Sequence, residues 1–295
     1  MTASAWRYVS SSVRGTAHVE HGLPCQDAHQ VREAVNTQDE ALLLLAASDG
    51  AGSARHAERG SRLVCEEALK LLELRFADAD VRPDQHFGEE VVQQLRQLLT
   101  THAEEQGCGL RDLACTLLLA AVLPGWAWFL QVGDGAIVTQ ALPAPDTEPL
   151  PFEVVFWPDN GEYANQTYFV TDVPEPHIHT RLVEGEVQRV SLITDGLQPL
   201  ALAFSERQAH SPFFAPLFGT LEAAPDAGET GQRALQPALN QFLNSPALNA
   251  RTNDDKTLVL ASRRVARPMA PEPEPTQPDD DTADLLLTGP GAAPA

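Results

Sequence analysis

The chain has 295 residues, 43% of them hydrophobic, with 20 basic residues against 41 acidic ones for a net charge of −21. That apolar content can fill the core of one large domain or two small ones. The charge disfavours nucleic acid and anionic lipid as partners, and no stretch approaches the apolar length of a signal-peptide core or membrane span, so a cytoplasmic, membrane-free protein is expected.

In chain order, residues 6–13 read as a strand and residues 42–48 as a buried strand. Gly50-Ala51-Gly52-Ser53 then leads into a helix over about 54–76, with Ser53 as its expected N-cap. Ala57, Val64, Cys65, Ala68, Leu71 and Leu72 share one face of that helix. A second helix is expected over 88–105, with Val91, Val92, Leu95, Leu98 and Leu99 as its stripe. After Gly107 the period changes. Strands are expected over 114–123, 127–132 and 136–141, joined by Pro124-Gly125 and Gly133-Asp134-Gly135. Residues 152–156 and 187–194 add strands, two helices follow between 213 and 248, and 256–262 closes the domain. Blocks of strands and helices, instead of regular βαβ units, give an α+β class.

From residue 268 the composition shifts to seven prolines and six acidic residues with no basic one. The expected organisation is therefore a folded domain over 1–264 and a disordered acidic tail over 265–295. Cys25, Cys65, Cys108 and Cys115 form no CxxC pair and read as isolated reduced thiols. The nine histidines lack ligand spacing, with His177 and His179 only two apart, and read as surface or loop residues. Trp126 and Trp128 alternate along a strand, as packing residues do.

The acidic dipeptides carry the chemistry. They are Gln26-Asp27, Asp49-Gly50, Asp195-Gly196 and Asp254-Asp255, and three of them flank apolar runs. Burying an unpaired carboxylate is costly, so carboxylates converging at strand ends call for a cation to offset their repulsion. A lone Asp-Gly is better read as a turn. The ordered set says more: Asp49-Gly50-Ala51-Gly52, Cys115-Thr116, Gly133-Asp134-Gly135, Leu192 to Leu197, then Asn253-Asp254-Asp255-Lys256-Thr257-Leu258.

In order and spacing this set resembles the metal-dependent serine/threonine protein phosphatases of the 2C type over residues 1–262. Residues 15–28 and Gly161 to Thr167 resemble a bacterial branch of that family. The resemblance implies a sandwich of two antiparallel sheets flanked by helices, four layers in the order α-β-β-α, with a metal cleft at one end. It implies that Asp49 bridges two metal ions with the Gly50 carbonyl on the second. Asp195 and Asp254 match the other ligands of the first ion, and Asp27 matches a catalytic acid that hydrogen-bonds water there. Such oxygen ligands suit magnesium or manganese, and a two-metal-activated water hydrolysing phosphoserine or phosphothreonine is the implied reaction. A phosphorylated protein substrate, a cognate serine/threonine kinase and a monomeric state are the implied context.

Three positions depart from the family pattern. Gln26 stands where Glu or Asn is usual, and a neutral amide adds no charge. Pro199 stands where an Asp is usual, so Asp134 and Gln26 are left between holding a third ion, orienting water, and, for Asp134, serving its turn. No arginine precedes Asp27 in His21-Gly22-Leu23-Pro24, which leaves Arg14 or Arg55 either to contact phosphate or to stand as exposed, solvated arginines. These departures support the alternative of a weak or inactive pseudophosphatase that acts as a binding module. Residues 142–185 form an insertion that bears on substrate choice. The tail lacks the apolar surface to offset its ordering entropy. Deleting residues 268–295 is expected to leave the melting temperature unchanged; a fall of several degrees would show that Leu285-Leu286-Leu287 pack on the domain.

Overall fold

The run Ala41–Ser48 is apolar along nearly its whole length because both of its faces are covered. Successive side chains of a strand point to opposite faces. Leu42, Leu44 and Ala46 pack among helical residues, while Leu43, Leu45 and Ala47 pack against a second sheet. The structure, a computed structural model, describes residues 4–144, 147–158, 167–172 and 177–264. All of these belong to the unit Met1–Arg264. The expected tail over 265–295, and residues 161–166 of the Gly161 to Thr167 motif, lie outside the described residues.

The strands are β1 (Trp6–Val13), β2 (Ala28–Val35), β3 (Ala41–Ser48), β4 (Leu117–Leu123), β5 (Trp126–Val132), β6 (Ala136–Ala141), β7 (Glu153–Val154), β8 (His179–Glu184), β9 (Val187–Ile193), β10 (Leu202–Ala203), β11 (Gln208–Ala209) and β12 (Lys256–Arg263). The helices are α1 (Thr16–His21), α2 (Ala57–Phe76), α3 (Phe87–Gln106), α4 (Gln198–Ala201), α5 (Ser211–Ala223), α6 (Gly228–Leu243) and α7 (Pro246–Asn249). One antiparallel sheet runs β1-β12-β9-β6-β7 and the other β2-β3-β4-β5-β8.

Three apolar layers hold the stack together. α2 and α3 cover the second sheet, the inner faces of the two sheets meet, and α5 and α6 cover the first sheet. On β12, Leu258 and Leu260 face the helices while Val259 and Ala261 face the other sheet. The expected four-layer α-β-β-α sandwich is the observed fold. Trp126 and Trp128 pack under the helices, edge-on to Phe76 at 5.5 Å and Phe87 at 5.0 Å between ring centroids.

The differences lie at edges and ends. β2 and β8 were not expected, because edge strands mix polar and apolar residues and stay partly exposed. The strand expected over 152–156 shrinks to Glu153–Val154. Ser53 is not the N-cap of α2. The helix begins at Ala57 after His56, with no side-chain cap. Residues 51–56 are held in turns instead, Ala51 N–H donating to Ala114 O at 2.9 Å and His56 N–H to Asp112 O at 2.8 Å.

Phe76 is fully buried against Phe87 and Trp126. Phe76→Ala should therefore cost about 3–5 kcal/mol in urea unfolding, whereas Ser53→Ala should change stability by less than about 0.5 kcal/mol.

Candidate metal centre

The acidic residues gather because the strands that carry them end at the same place. Asp49 follows β3 directly, and its backbone is fastened on both sides. Its N–H donates to Thr116 Oγ1 at 2.8 Å, and its carbonyl accepts from Thr116 N at 2.8 Å. Gly50 N–H donates to Gln26 O at 3.2 Å, and Gly50 bridges to Cys115. A Cβ on Gly50 would lie 2.7 Å from Ala57 O, so only glycine lets the start of α2 come this close. Asp134 sits in the turn between β5 and β6, where Thr167 Oγ1 donates to its Oδ2 at 2.6 Å and Gln198 Nε2 to its carbonyl. Asp195 opens the short helical turn after β9.

Asp49, Asp134 and Asp195 each place a carboxylate oxygen within 4.8 Å of the others. Asp254 lies outside that triplet, exposed just before β12, with its Oδ1 accepting from Asp255 N at 2.8 Å. Its charge still acts on all three carboxyls.

Asp27 is buried, and its Oδ2 accepts from Thr194 Oγ1 at 2.7 Å and from Thr257 Oγ1 at 2.8 Å. The Asp27 and Asp49 carboxyls act on each other, which joins Asp27 to the triplet. Burial pushes the Asp27 carboxyl up to about 7 against the pull of the two threonines. Burial, then the charges of Asp27 and Asp195, hold Asp49 well above the usual carboxylate range. Burial, then Asp134 and Asp254, do the same to Asp195, and burial raises Asp134. The cluster thus favours anything that removes its negative charge, proton or cation.

Of the acidic dipeptides and turns singled out above, Gln26 Oε1 and Asp134 Oδ1 are buried without a hydrogen-bond partner among the described residues. Carboxylates with an amide and a carbonyl make a hard, all-oxygen donor set, which fits magnesium or manganese and not zinc. Arg14 is exposed and donates to Leu23 O at 3.2 Å, and Arg55 is exposed on the turn between Gly50 and α2. The four thiols are unpaired, and burial raises Cys65 and Cys115, the latter to about 12.

Reading the sequence missed Thr116, Thr194, Thr257 and Asp255. Asp255, 1% exposed, accepts from Gly15 N and Gln26 N at 2.6 Å each, one on each oxygen. His18 Nδ1 lies 2.9 Å from Asp255 Oδ2, out of line for a hydrogen bond. Asp255 therefore ties the segment carrying Gln26 and Asp27 to the loop carrying Asp254. All four stand inside the ordered motif set, Thr194 beside Asp195, Thr257 two residues after Asp255 and Thr116 in the Cys115-Thr116 pair, but no role of their own was legible in the sequence.

A family model described as protein phosphatase 2C matches residues 14–244. Serine/threonine-protein phosphatase 3 of Escherichia coli strain K12 is 37% identical over 262 residues, spanning 87% of this chain and 98% of the relative. Among solved structures, the serine/threonine phosphatase Stp1 of Staphylococcus aureus is similar with a TM-score of 0.51 and 17% identity, covering 89% of this chain and 97% of that one. PppA, a regulatory component of the Pseudomonas aeruginosa T6SS, is similar with a TM-score of 0.52 and 15% identity, covering 89% and 99%.

The raised carboxyls predict a linkage. In chelator, native Asp27 keeps its proton up to about pH 7, whereas an unfolded Asp loses it near pH 4. The native state thus binds more protons in this window, and stability falls as pH rises through it. Wild type should lose at least about 1 kcal/mol relative to Asp27→Asn between about pH 4 and 7. A stability difference between the two that stays flat across this window would refute the assignment.

Proposed function

The chain belongs to the protein phosphatase 2C family, and we propose that it hydrolyses phosphoserine and phosphothreonine in proteins. The observation that carries this reading is the convergence of Asp49, Asp134 and Asp195 beside the unpartnered oxygens of Gln26 and Asp134. A pure binding module has no use for carboxylates gathered so closely, and this weighs against the pseudophosphatase alternative.

Asp49, the Gly50 carbonyl, Asp195 and Asp254 are assigned to hold a pair of magnesium or manganese ions. Asp134 and Gln26 are assigned to a third ion or to the surrounding water. When bound, such ions lower the pKa of water toward neutrality and offset the charge of the phosphoryl oxygens. Asp27 orients the attacking water. Thr194 and Thr257 saturate one of its oxygens, so its second oxygen remains for water. Attack in line with the departing Ser or Thr oxygen requires no covalent enzyme intermediate, consistent with thiols that burial keeps protonated. Of the two arginines, Arg55 is free to reach a phosphate, whereas Arg14 already donates to Leu23 O.

No helix among the described residues is long and apolar enough to cross a membrane. We place the protein in the cytoplasm as a monomer opposing a bacterial protein kinase, with the acidic surface turned away from nucleic acid and anionic lipid.

The decisive experiment is hydrolysis of a phosphothreonine peptide with manganese, with chelator as control. Turnover should require the metal and fall to background in Asp49→Asn. Metal-free Asp49→Asn should melt no lower than metal-free wild type, because one source of repulsion is gone. Manganese should raise the melting temperature of wild type by mass action and raise that of Asp195→Asn less. Full turnover by a folded Asp49→Asn variant would end this reading.

A further inference from the structure

On one side of the sandwich the edge strands β1 and β2 lie next to each other. Ser12 and His29 bridge them at one end, and Ser4 and Glu33 at the other. Between the bridges is a groove of about 920 Å3 flanked by α6. Its size is at the upper end of the usual range for ligand sites, about 300–1,000 Å3.

The two strands differ in how their edges are covered. The Gln232 amide accepts from Ser10 N at 2.8 Å and donates to Ser10 O at 3.1 Å, so a side chain occupies the place of a neighbouring strand on β1. β2 has no such cover among the described residues. Gly50 N donates to Gln26 O beyond one end of β2, and Asn36 N donates to Glu40 O beyond the other. Pairing alternates along an antiparallel ladder. His29, Val31 and Glu33 therefore turn their N–H and C=O groups away from β3, toward an open edge.

The groove is rich in acceptors. Thr257 gives its hydroxyl proton to Asp27. Ser12 Oγ, 2.6 Å from Thr257 Oγ1, must then donate to it, and His29 Nδ1, 2.8 Å from Ser12 Oγ, must donate to Ser12. That fixes the His29 tautomer and leaves Nε2 as an acceptor on the groove side. Burial supports this by pushing the imidazole down to about 4, which keeps it neutral. The Tyr8 hydroxyl lines the groove, is 95% buried by residue and makes no hydrogen bond among the described residues. Glu33 and Glu229 both act on it, ahead of the smaller opposing effect of Arg233, which places their charge around the same point. Glu229 pairs with Arg233 only on the exposed face of α6, a weak contact, and Arg32 is turned to Glu73.

We propose that this groove docks an extended basic segment of a partner protein. The segment would add to the free edge of β2 and direct a Lys or Arg side chain to His29 Nε2, Glu33 and Glu229. Main-chain hydrogen bonds along the edge supply the affinity, and the acceptor cluster selects the cation. The net charge of −21 favours the encounter. Occupancy also reaches the metal centre, because His29 heads the chain His29–Ser12–Thr257–Asp27, which ends on the carboxyl that acts on Asp49.

The test uses the full chain and a labelled ten-residue peptide of alternating Val and Lys, with binding read by fluorescence anisotropy. This readout needs no turnover, so it stands or falls apart from the phosphatase reading. Wild type should bind the peptide. A Gln-for-Lys peptide, and a peptide N-methylated at alternate backbone positions, should each bind at least tenfold more weakly. Glu229→Gln should weaken binding several-fold and Val31→Pro at least tenfold. The proline removes an N–H that β3 does not use, and the methylated peptide makes the same point on an unaltered protein. No binding at millimolar protein, or equal binding of the Gln peptide, overturns the proposal. Equal binding of the methylated peptide shows bare charge attraction and overturns strand addition. The Lys peptide should also shift the manganese dissociation constant of wild type but not of Ser12→Ala. An equal shift in both overturns the hydrogen-bonded route.

Discussion

The constraint on which the rest depends is repulsion. Asp49, Asp134 and Asp195 hold carboxylate oxygens within 4.8 Å of one another. At an effective dielectric of about 20, each ionised pair at that range costs roughly 3 kcal/mol. Three such pairs rival the whole stability of an ordinary domain, about 5–15 kcal/mol. The upward displacement of these carboxyls expresses the same fact in protons. Without cations the cluster protonates in part; with cations it becomes the best-neutralised region of an acidic surface.

What holds these charges together is the sandwich. β3, β9 and the β5–β6 turn deliver them from strands that are buried where they approach the site. The loop before β12 is gripped from two sides by backbone. A Cβ on Gly15 would fall 2.3 Å from Asp254 C, and one on Gly196 would fall 1.9 Å from Asp255 O. There is no clearance for a side chain at either point. Asp255 adds the fastening, since only a carboxylate offers an acceptor to each of two N–H groups without bringing a donor of its own.

The inner strands were legible because burial on two faces leaves a continuous apolar run, as in Ala41–Ser48 and Leu117–Leu123. β2 and β8 were not, because an edge strand such as Ala28–Val35 carries His, Gln, Arg and Glu that find tertiary partners no local pattern announces. Asp49, Asp195 and Asp27 were legible from their order along the chain. Asp134 was legible only in part: the sequence left it between a third ion, water and its turn, because an Asp between two glycines reads equally well as a turn, and the structure sets it beside Asp49 and Asp195. Asp254, ranked beside Asp49 from the sequence, stands outside the triplet and acts on it through its charge. Ser53 shows the limit of local rules. A good capping residue four positions ahead of a helix is overruled when Ala114 and Asp112 claim the backbone on either side of it.

The first and last strands of the domain are neighbours: β1 pairs with β12 over eight residues, from Trp6 opposite Arg263 to Val13 opposite Lys256. Asp255, just before β12, closes on Gly15 and Gln26 from 240 and 229 residues away. Contacts of such separation carry a loop-closure cost that slows folding. A ribosome-bound chain that has not yet released residue 255 has neither the fastening of Gln26 nor the Thr257 hydroxyl on Asp27. A product that stops short of residue 255 carries Asp49 and Asp195 without the ties that position Gln26 and Asp27 beside them, so the two ends of the domain complete the centre together.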